Sequence, residues 1–280
     1  MIQKGSIQIA VVVGLLFTVL GLKANPKMIV MKGSDTVLPI GQLLAEEYFK
    51  KHPKDSLISV TGGGSGVGIT ALLDGTCDIA MSSRELSSKE LETAKAKGRP
   101  LMPHVIGYDG IAVIVHPENP LAQLTIPQIG TIFSGEVTNW KQLGGPDLSI
   151  VVVSRESTSG TYVYFKEAVL QQKDFHKKTL LLPATANIVN TVKNNKAAIG
   201  YVGLAYVKPG VKALKVSAGN PKRYIAPSIA SVKNKSYPIA RPLFLIMAGK
   251  MSEPATAFLN YIMSAEGQKI LLDKSYVPVN

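Results

Sequence analysis

Three short apolar runs in this chain each end in a turn rich in glycine, serine and threonine. The turns occupy residues 33–36, 62–68 and 155–161, and a helical spacing of apolar residues follows each of them. Apolar runs bounded by such turns are typical of buried strands, and the patterns that follow are typical of amphipathic helices. Because strands alternate with helices along the chain, the sequence predicts an α/β fold with open sheets.

The residues of these turns are suited to holding a small anion. A helix N-terminus offers unpaired backbone N–H groups and a partial positive charge. Gly160 allows close approach of the backbone, Ser159 and Thr161 add hydroxyl groups, and Arg155 adds a planar cation. Three such turns, if they converge, can enclose one small oxyanion. Taken alone, the third turn also fits a helix that Ser159 only caps.

Two stretches that contain proline indicate that the chain passes twice between two lobes. They lie near residues 113–120 and 234–242, beside apolar runs with the composition of strands covered on both faces. With 280 residues, the chain is long enough for two domains. We predict that residues 25–114 and 237–280 form the first lobe and that residues 115–236 form the second. A cleft between such lobes is where a ligand binds.

The first 24 residues have a different composition from the rest of the chain. Lys4 precedes an almost wholly apolar run over residues 7–22, which is short for a membrane span of about 20 residues. This pattern predicts a secretory signal peptide, residues 1–24, and a periplasmic or secreted protein. If cleavage follows Ala24, Leu22 occupies position −3, where leucine is unusual in a signal peptide. The alternative is therefore an uncleaved segment that tethers the protein to a membrane.

Composition argues against nucleic-acid and metal binding. The net charge of +12 suits an acidic partner, but the chain has no arginine-rich arm, no aromatic–basic pattern and no zinc-finger spacing. We therefore expect no nucleic-acid partner. Cys77 is the only cysteine and the four histidines lack ligand spacing, so we expect no disulfide, no metal site and no cofactor. Cys77 is predicted to be a small buried core residue.

The glycine-rich turn does not match the common catalytic motifs that contain a serine or a glycine-rich loop. Val67 stands where a nucleophile elbow around Ser65 needs glycine, and the turn lacks the Lys-Ser/Thr ending of a P-loop. We predict no catalytic residues and no enzyme activity. A phosphatase-like hydrolase is the alternative, because folding could bring a histidine close to one of the serines.

In its motifs, the chain resembles the phosphate-binding periplasmic proteins of bacterial ABC phosphate importers. The matching motifs cover residues 33–36, 62–68, 78–84, 135–140 and 155–161, and the likeness extends over nearly the whole chain after residue 24. The resemblance implies a type II periplasmic binding protein fold, in which two open-sheet α/β lobes are joined by two hinge strands with a ligand cleft between them. It also implies that the cleft binds dehydrated phosphate and that the protein, expected to be a monomer, delivers it to the membrane permease subunits of an ABC importer.

Transferred motif by motif, the resemblance also implies the phosphate contacts. They are Thr36, the amide of Val37, Ser65, Arg155, Ser159, Gly160 and Thr161. We add Ser34, which lies in the first matched turn, and Ser83, which follows the strand predicted at residues 78–81.

The chain departs from the family pattern at one position. In the best-studied members an aspartate follows the strand that ends here at Met81, and it accepts the proton of phosphate. This chain has Ser83 near that position and Arg84 after it. Asp35 is then the nearest candidate acceptor, with a turn or cap aspartate as the alternative, and Arg84 either adds charge or pairs with an acid at the rim. The same fold binding sulfate, molybdate or tungstate is therefore a further alternative.

Overall fold

The computed structural model describes residues 28–55, 57–220 and 223–279. The predicted signal peptide, residues 1–24, lies outside these ranges. Within them, no helix has both the length and the apolar character that a membrane crossing requires.

The described chain contains strands and helices in alternation, as predicted. The strands are β1 (Ile29–Gly33), β2 (Ile58–Thr61), β3 (Ile79–Ser82), β4 (Leu101–Val115), β5 (Gln123–Thr125), β6 (Val151–Arg155), β7 (Leu180–Leu182), β8 (Ala198–Gly203), β9 (Lys212–Ala213), β10 (Lys215–Ser217) and β11 (Ala240–Ala248). The helices are α1 (Leu38–Lys51), α2 (Ser65–Leu73), α3 (Ser88–Ala96), α4 (Ile126–Ser134), α5 (Gly160–Ala168), α6 (Thr185–Asn194), α7 (Ile229–Lys233), α8 (Glu253–Met263) and α9 (Ala265–Asp273). Two short 3₁₀ helices cover Trp140–Leu143 and Leu204–Tyr206.

One mixed sheet runs through both halves of the molecule. Its order is β2-β1-β3-β11-β4-β8-β6-β7, with β9 added to β4, while β5 and β10 form a separate pair. Strands β1, β2 and β3 are parallel to one another, as are β6, β7 and β8. The antiparallel strands β4 and β11 lie between these two parallel groups.

Strands β4 and β11 connect the two lobes, which confirms the predicted two-lobe architecture. From Leu101 to Gly110, β4 pairs with β11, and from Ile111 to Val115 it pairs with β8. The strand therefore changes partners between residues 110 and 111, four residues before the predicted division at 114/115. The apolar run of β4 continues beyond residue 111 because the strand is covered on both faces there. The end of the apolar run therefore does not mark the boundary between the lobes. The exact lobe limits stay a proposal.

Each half of the sheet is covered on both faces by apolar side chains. In the first half, Leu44 and Phe258 belong to one core cluster and Ile69 to another. In the second half, Phe133 and Ile188 likewise belong to different clusters. Residues 111–115 alternate between the two clusters of the second half. This period of two, with both faces buried, explains why that stretch is apolar throughout.

Two local predictions have different outcomes in the structure. Cys77 is buried as predicted, and burial together with the charge of Asp78 raises the pKa of its thiol to about 11. The apolar spacing over residues 254–272 predicts a single helix, which is wrong, because α8 and α9 are separate helices that meet at Ser264. The Ser264 hydroxyl accepts a hydrogen bond from the Gly267 N–H (3.2 Å) and caps α9. The apolar spacing continues across this break, so periodicity alone does not reveal it.

Candidate functional site

The first two glycine-rich turns and the end of β3 converge in the first lobe. The Ser34 hydroxyl donates to the Ser83 hydroxyl (2.9 Å), and the Ser83 N–H donates to the Ser65 hydroxyl (3.1 Å). All three residues are at most 2% exposed. The parallel strands β1 and β3 end at the same edge of the sheet, which is why residues distant in sequence meet there.

The third turn, in the second lobe, reaches the same place. Helix α5 begins at Gly160, and the Ser159 hydroxyl caps it by accepting from the N–H groups of Thr161 (3.2 Å) and Tyr162 (3.4 Å). The Thr161 hydroxyl lies 2.9 Å from the Thr36 hydroxyl of the first lobe. Ser159 is therefore a buried helix cap, two residues before the Thr161 hydroxyl that contacts the first lobe.

The two lobes touch so closely here that glycine is needed at the start of α5. A Cβ atom on Gly160 would overlap the Ser65 hydroxyl oxygen and lie 2.8 Å from that of Ser83. Nearby, the Gly66 N–H donates to the Thr158 carbonyl (3.0 Å) across the cleft. The lobes are therefore closed on each other at the predicted site.

Arg155 is buried and forms an ion pair between the lobes. Its Nη2 donates to Asp35 Oδ2 at 2.6 Å and to the Pro183 carbonyl at 2.7 Å. Within its own lobe, Nε donates to the Leu182 carbonyl (3.2 Å) and Nη1 to the Thr185 hydroxyl (2.7 Å). A guanidinium has five N–H donors, so these contacts use four of them. Arg155 therefore organises the second lobe as well as facing the first.

Asp35 lies at the junction of the two lobes. Besides pairing with Arg155, its carboxylate accepts from the Gly63 N–H at 3.3 Å. Its backbone carbonyl accepts from the Tyr206 hydroxyl of the second lobe at 2.6 Å, and the next carbonyl, of Thr36, accepts from Tyr276 at 2.7 Å. These contacts fix the first turn in place and keep the Asp35 carboxylate inside the site.

Two further predicted residues have partners of their own. Nη1 and Nη2 of Arg84 donate to the Glu90 carboxylate at 2.8 and 2.6 Å, which is the rim pair that the sequence left as an alternative. The pairing with Arg84 lowers the pKa of Glu90 against the opposing effect of its burial. The Val37 N–H donates to the Ser34 carbonyl at 3.1 Å inside the turn, so an anion would have to share or replace that bond.

A second buried arginine, Arg241, was not predicted as part of the site. Its Nη2 donates to the hydroxyls of Thr161 (2.9 Å) and Thr36 (3.2 Å), and its Nη1 donates to the Ser83 carbonyl (2.8 Å). The side chains of Arg241 and Asp109 are fully buried and form an ion pair at 3.2 Å. Burial raises the pKa of the Asp109 carboxyl, and the positive charge of Arg241 opposes that rise.

The sequence did contain a signal for this pair. Asp109 and Arg241 are lone charges beside or within the apolar runs of β4 and β11. Charged residues are almost never fully buried unless they are paired, so two such charges in adjacent strands predict an ion pair. As for metals, the part of the chain that the structure describes holds no group of three or more histidine, cysteine, aspartate or glutamate side chains able to bind an ion.

Two α/β lobes, joined by two strands and meeting at buried hydroxyls and guanidinium groups, define a two-lobed solute-binding protein. The chain belongs to the PBP superfamily, whose domain model matches residues 23–266.

Within this class, the chain is similar to individually named proteins. The phosphate-binding protein PstS of Staphylococcus epidermidis is 32% identical over 85% of this chain and 74% of that protein. Protein SphX of Synechococcus elongatus is 31% identical over 97% of this chain and 83% of that protein.

Solved structures agree with these relatives. A Clostridium perfringens protein described as a phosphate ABC transporter substrate-binding protein, with bound phosphate, matches with a TM-score of 0.83 and 35% identity, covering 91% of this chain and 100% of that one. An ABC-type phosphate transport receptor from Vibrio cholerae matches with a TM-score of 0.71 and 29% identity, covering 89% and 99%.

Proposed function

We propose that this protein binds one inorganic phosphate in the cleft between its lobes and delivers it to the permease subunits of an ABC importer. The observation that carries the proposal is the meeting of buried hydroxyls from both lobes beside the guanidinium groups of Arg155 and Arg241. The names and bound ligand of the similar proteins support the same function. We further propose that the protein acts as a monomer in the periplasm or outside the cell.

The site has the chemistry of a receptor for a dehydrated oxyanion. Hydroxyl groups, backbone N–H groups and guanidinium groups donate hydrogen bonds, and the carboxylates of Asp35 and Asp109 are each paired with an arginine. Six hydrogen bonds to a charged group contribute about 9–18 kcal/mol, and association costs about 4–15 kcal/mol. A micromolar dissociation constant corresponds to a binding free energy of about −8.2 kcal/mol. This set of donors is therefore sufficient for tight binding.

Binding requires the lobes to move. Ser65, Ser83 and Thr161 are at most 2% exposed in the closed arrangement, so an anion reaches them only when the lobes part. Strands β4 and β11 cross between the lobes side by side and are the elements that can act as the hinge. Phosphate would then stabilise the closed form, because its oxygens would bridge hydroxyls that belong to different lobes.

The contacts support binding rather than catalysis. A serine nucleophile needs a base within hydrogen-bond reach, whereas Ser34 and Ser65 contact the hydroxyl and the N–H of Ser83. We therefore propose that the protein is not an enzyme. Turnover of a phosphate ester by the purified protein would support the phosphatase alternative instead.

Asp35→Asn is expected to reduce the preference for phosphate over sulfate. Near neutral pH phosphate carries a proton and sulfate does not, so the Asp35 carboxylate can accept a hydrogen bond from phosphate but only repels the sulfate dianion. Placing like charges side by side costs several kcal/mol, so we expect the preference to fall by at least about tenfold. The measurement is competition calorimetry with phosphate, sulfate and molybdate on the wild type and the variant.

The two arms of that experiment test different claims. Equal affinity of the wild type for sulfate and phosphate would overturn the phosphate assignment. Unchanged selectivity in Asp35→Asn would overturn only the role of Asp35 as proton acceptor and would leave Ser83 as the candidate acceptor.

Arg84→Gln is expected to lower stability while leaving phosphate affinity within about twofold, since both terminal nitrogens of Arg84 donate to the Glu90 carboxylate. Breaking a partly exposed ion pair costs about 1 kcal/mol, and thermal unfolding of the ligand-free protein measures this loss. Glu90→Gln serves as the matched control, because it breaks the same pair from the other side. A loss of affinity larger than that of the Arg155 variants would instead place Arg84 in the site.

A further inference from the structure

We propose that Arg241, held in place by Asp109, is a selectivity element of the anion site that makes Thr36 and Thr161 hydrogen-bond donors towards the ligand. The proposal rests on the proposed function and goes beyond it, because it assigns a role to two residues outside the glycine-rich turns. It predicts that the site favours the phosphate dianion over the monoanion.

The guanidinium of Arg241 lies where the two lobes meet. Strand β11 places Arg241 opposite Asp109 of β4, at the point where the chain crosses between the lobes. From there Nη2 reaches Thr36 in the first lobe and Thr161 in the second. Arg241 is thus the side chain that contacts both hydroxyls at the line where the lobes close.

The contacts of Arg241 determine where the hydrogens of the Thr36 and Thr161 hydroxyls can point. A threonine hydroxyl has one hydrogen to donate and two lone pairs that accept. Because Nη2 of Arg241 donates to both oxygens, a lone pair of each is already occupied. In the closed structure the two hydroxyls share one hydrogen bond with each other (2.9 Å). When an anion oxygen lies between them, both hydrogens are free to point at it.

An arginine paired with an aspartate is suited to orienting these two hydroxyls. Oδ2 of Asp109 lies 3.2 Å from the same Nη2 and shares its two hydrogens with the threonine hydroxyls. Oδ1 of Asp109 accepts from the Leu204 N–H (3.0 Å), so the carboxylate is fixed by both lobes. The guanidinium also lies over the Tyr164 ring, 5.6 Å from its centroid. Nη1 of the same planar group donates to the Ser83 carbonyl (2.8 Å), and a lysine, with its single nitrogen, could not hold that carbonyl while also contacting Asp109 and both threonines.

The same pair keeps the guanidinium from adding a net charge. The negative charge of Asp109 neutralises the positive charge of Arg241. The anion therefore gains oriented hydrogen-bond donors but no additional long-range electrostatic attraction. Nε of Arg241 is buried without a hydrogen-bond partner among the residues that the structure describes, which leaves the guanidinium further donor capacity. The pair therefore acts through local hydrogen bonds, which depend on the protonation state of the ligand.

The titratable groups that face Arg241 are Asp109 on the neighbouring strand, Tyr164 and Tyr201 in the second lobe, and Tyr276 near the end of the chain. Burial raises the pKa of all three tyrosines, so none of them ionises near neutral pH. Any titration of Asp109 would affect sulfate and phosphate alike, whereas protonation of the ligand changes only phosphate over this range.

The test uses the double variant Asp109→Asn/Arg241→Gln, which removes both charges and strands neither. Phosphate and sulfate affinities are measured by calorimetry, with competition for the weaker ligand, at about pH 6 and about pH 8, on either side of the ionisation of a phosphate group. We expect the variant to bind phosphate about 10- to 100-fold more weakly at the higher pH. The loss should be clearly smaller at the lower pH, because freed threonine hydroxyls can accept the proton of the monoanion.

The controls separate this role from a structural one. Arg84→Gln/Glu90→Gln removes another guanidinium–carboxylate pair without touching the threonines, and we expect its phosphate affinity and pH profile to match the wild type. Arg241→Lys keeps the charge and the partner of Asp109, and a loss of about tenfold is expected from the weaker hold on the hydroxyls. It provides the same test if the double variant does not fold.

The outcomes are distinct. Equal losses for phosphate at both pH values, matched by sulfate, would show that the pair only supports the fold and would overturn the proposal. Wild-type affinity in the folded double variant, or in Arg241→Lys, would overturn it as well while leaving phosphate binding intact. Failure of the wild type to bind any of the oxyanions would overturn the proposed function and this inference together.

Discussion

Arg155→Ala is expected to weaken phosphate binding by about 100- to 1,000-fold, the largest effect of any single substitution that we consider. The variant loses a cationic donor and leaves the Asp35 carboxylate buried without its partner, 2.6 Å from where the guanidinium stood. Breaking a buried pair in this way costs about 3–5 kcal/mol, and each 1.4 kcal/mol corresponds to a factor of ten. Calorimetry with phosphate measures the loss.

The same variant is also expected to lower the stability of the ligand-free protein. Arg155 donates to the Leu182 and Pro183 carbonyls and to the Thr185 hydroxyl within its own lobe, and these buried acceptors would lose a partner. Each unsatisfied group costs about 1–3 kcal/mol.

Two companion variants separate these contributions. Arg155→Lys should recover only part of the affinity, because an ammonium lacks the planar fork. Adding Asp35→Asn to Arg155→Ala should also recover part of it, because no carboxylate is then stranded. Unchanged phosphate affinity in folded Arg155→Ala would show that this arginine does not contact the anion.

Gly160→Ala is expected to weaken phosphate binding by about 10- to 100-fold without lowering the stability of the ligand-free protein. The new methyl group would collide with Ser65 and Ser83 of the opposite lobe, so the clash exists only when the lobes are closed. Overpacking of this kind costs about 1–3 kcal/mol. Within its own lobe the residue begins helix α5, where alanine is readily accepted. Calorimetry and thermal unfolding together measure the two effects.

A graded comparison tests this explanation. A Cβ atom on Gly66 would lie 3.3 Å from the Thr158 carbonyl, a milder crowding at the same interface. Gly66→Ala should therefore weaken binding in the same direction but less than Gly160→Ala. An equal or larger loss in Gly66→Ala, or a lower melting temperature of ligand-free Gly160→Ala, would contradict a role for Gly160 in closure.

The glycine-rich turns could be predicted from the sequence because their signals are local. Strand, turn and helix follow one another within a few residues, and the structure places β1, β2 and β6 before the three turns that the sequence indicated. The short strands β5, β7, β9 and β10, of two or three residues each, were not predicted, because so few residues carry no periodicity.

The ion pair of Arg241 and Asp109 was missed for a different reason. The two residues are 132 positions apart, and their meeting depends on the register of β4 against β11. That register is a property of the folded sheet, since the hydrophobic pattern specifies which face is buried but not which residues lie opposite one another. The partnership of Asp35 with Arg155 likewise depends on closure of the lobes, which local patterns cannot show.

The most direct test of a closing phosphate receptor is small-angle X-ray scattering of the ligand-free protein during a phosphate titration. We expect the radius of gyration to fall and to reach its final value at one phosphate per chain, because an anion in the proposed site would bridge hydroxyl groups of both lobes. A matched titration with sulfate should need a much higher concentration. An unchanged radius of gyration at saturating phosphate, or the same compaction by equimolar sulfate, would contradict the account.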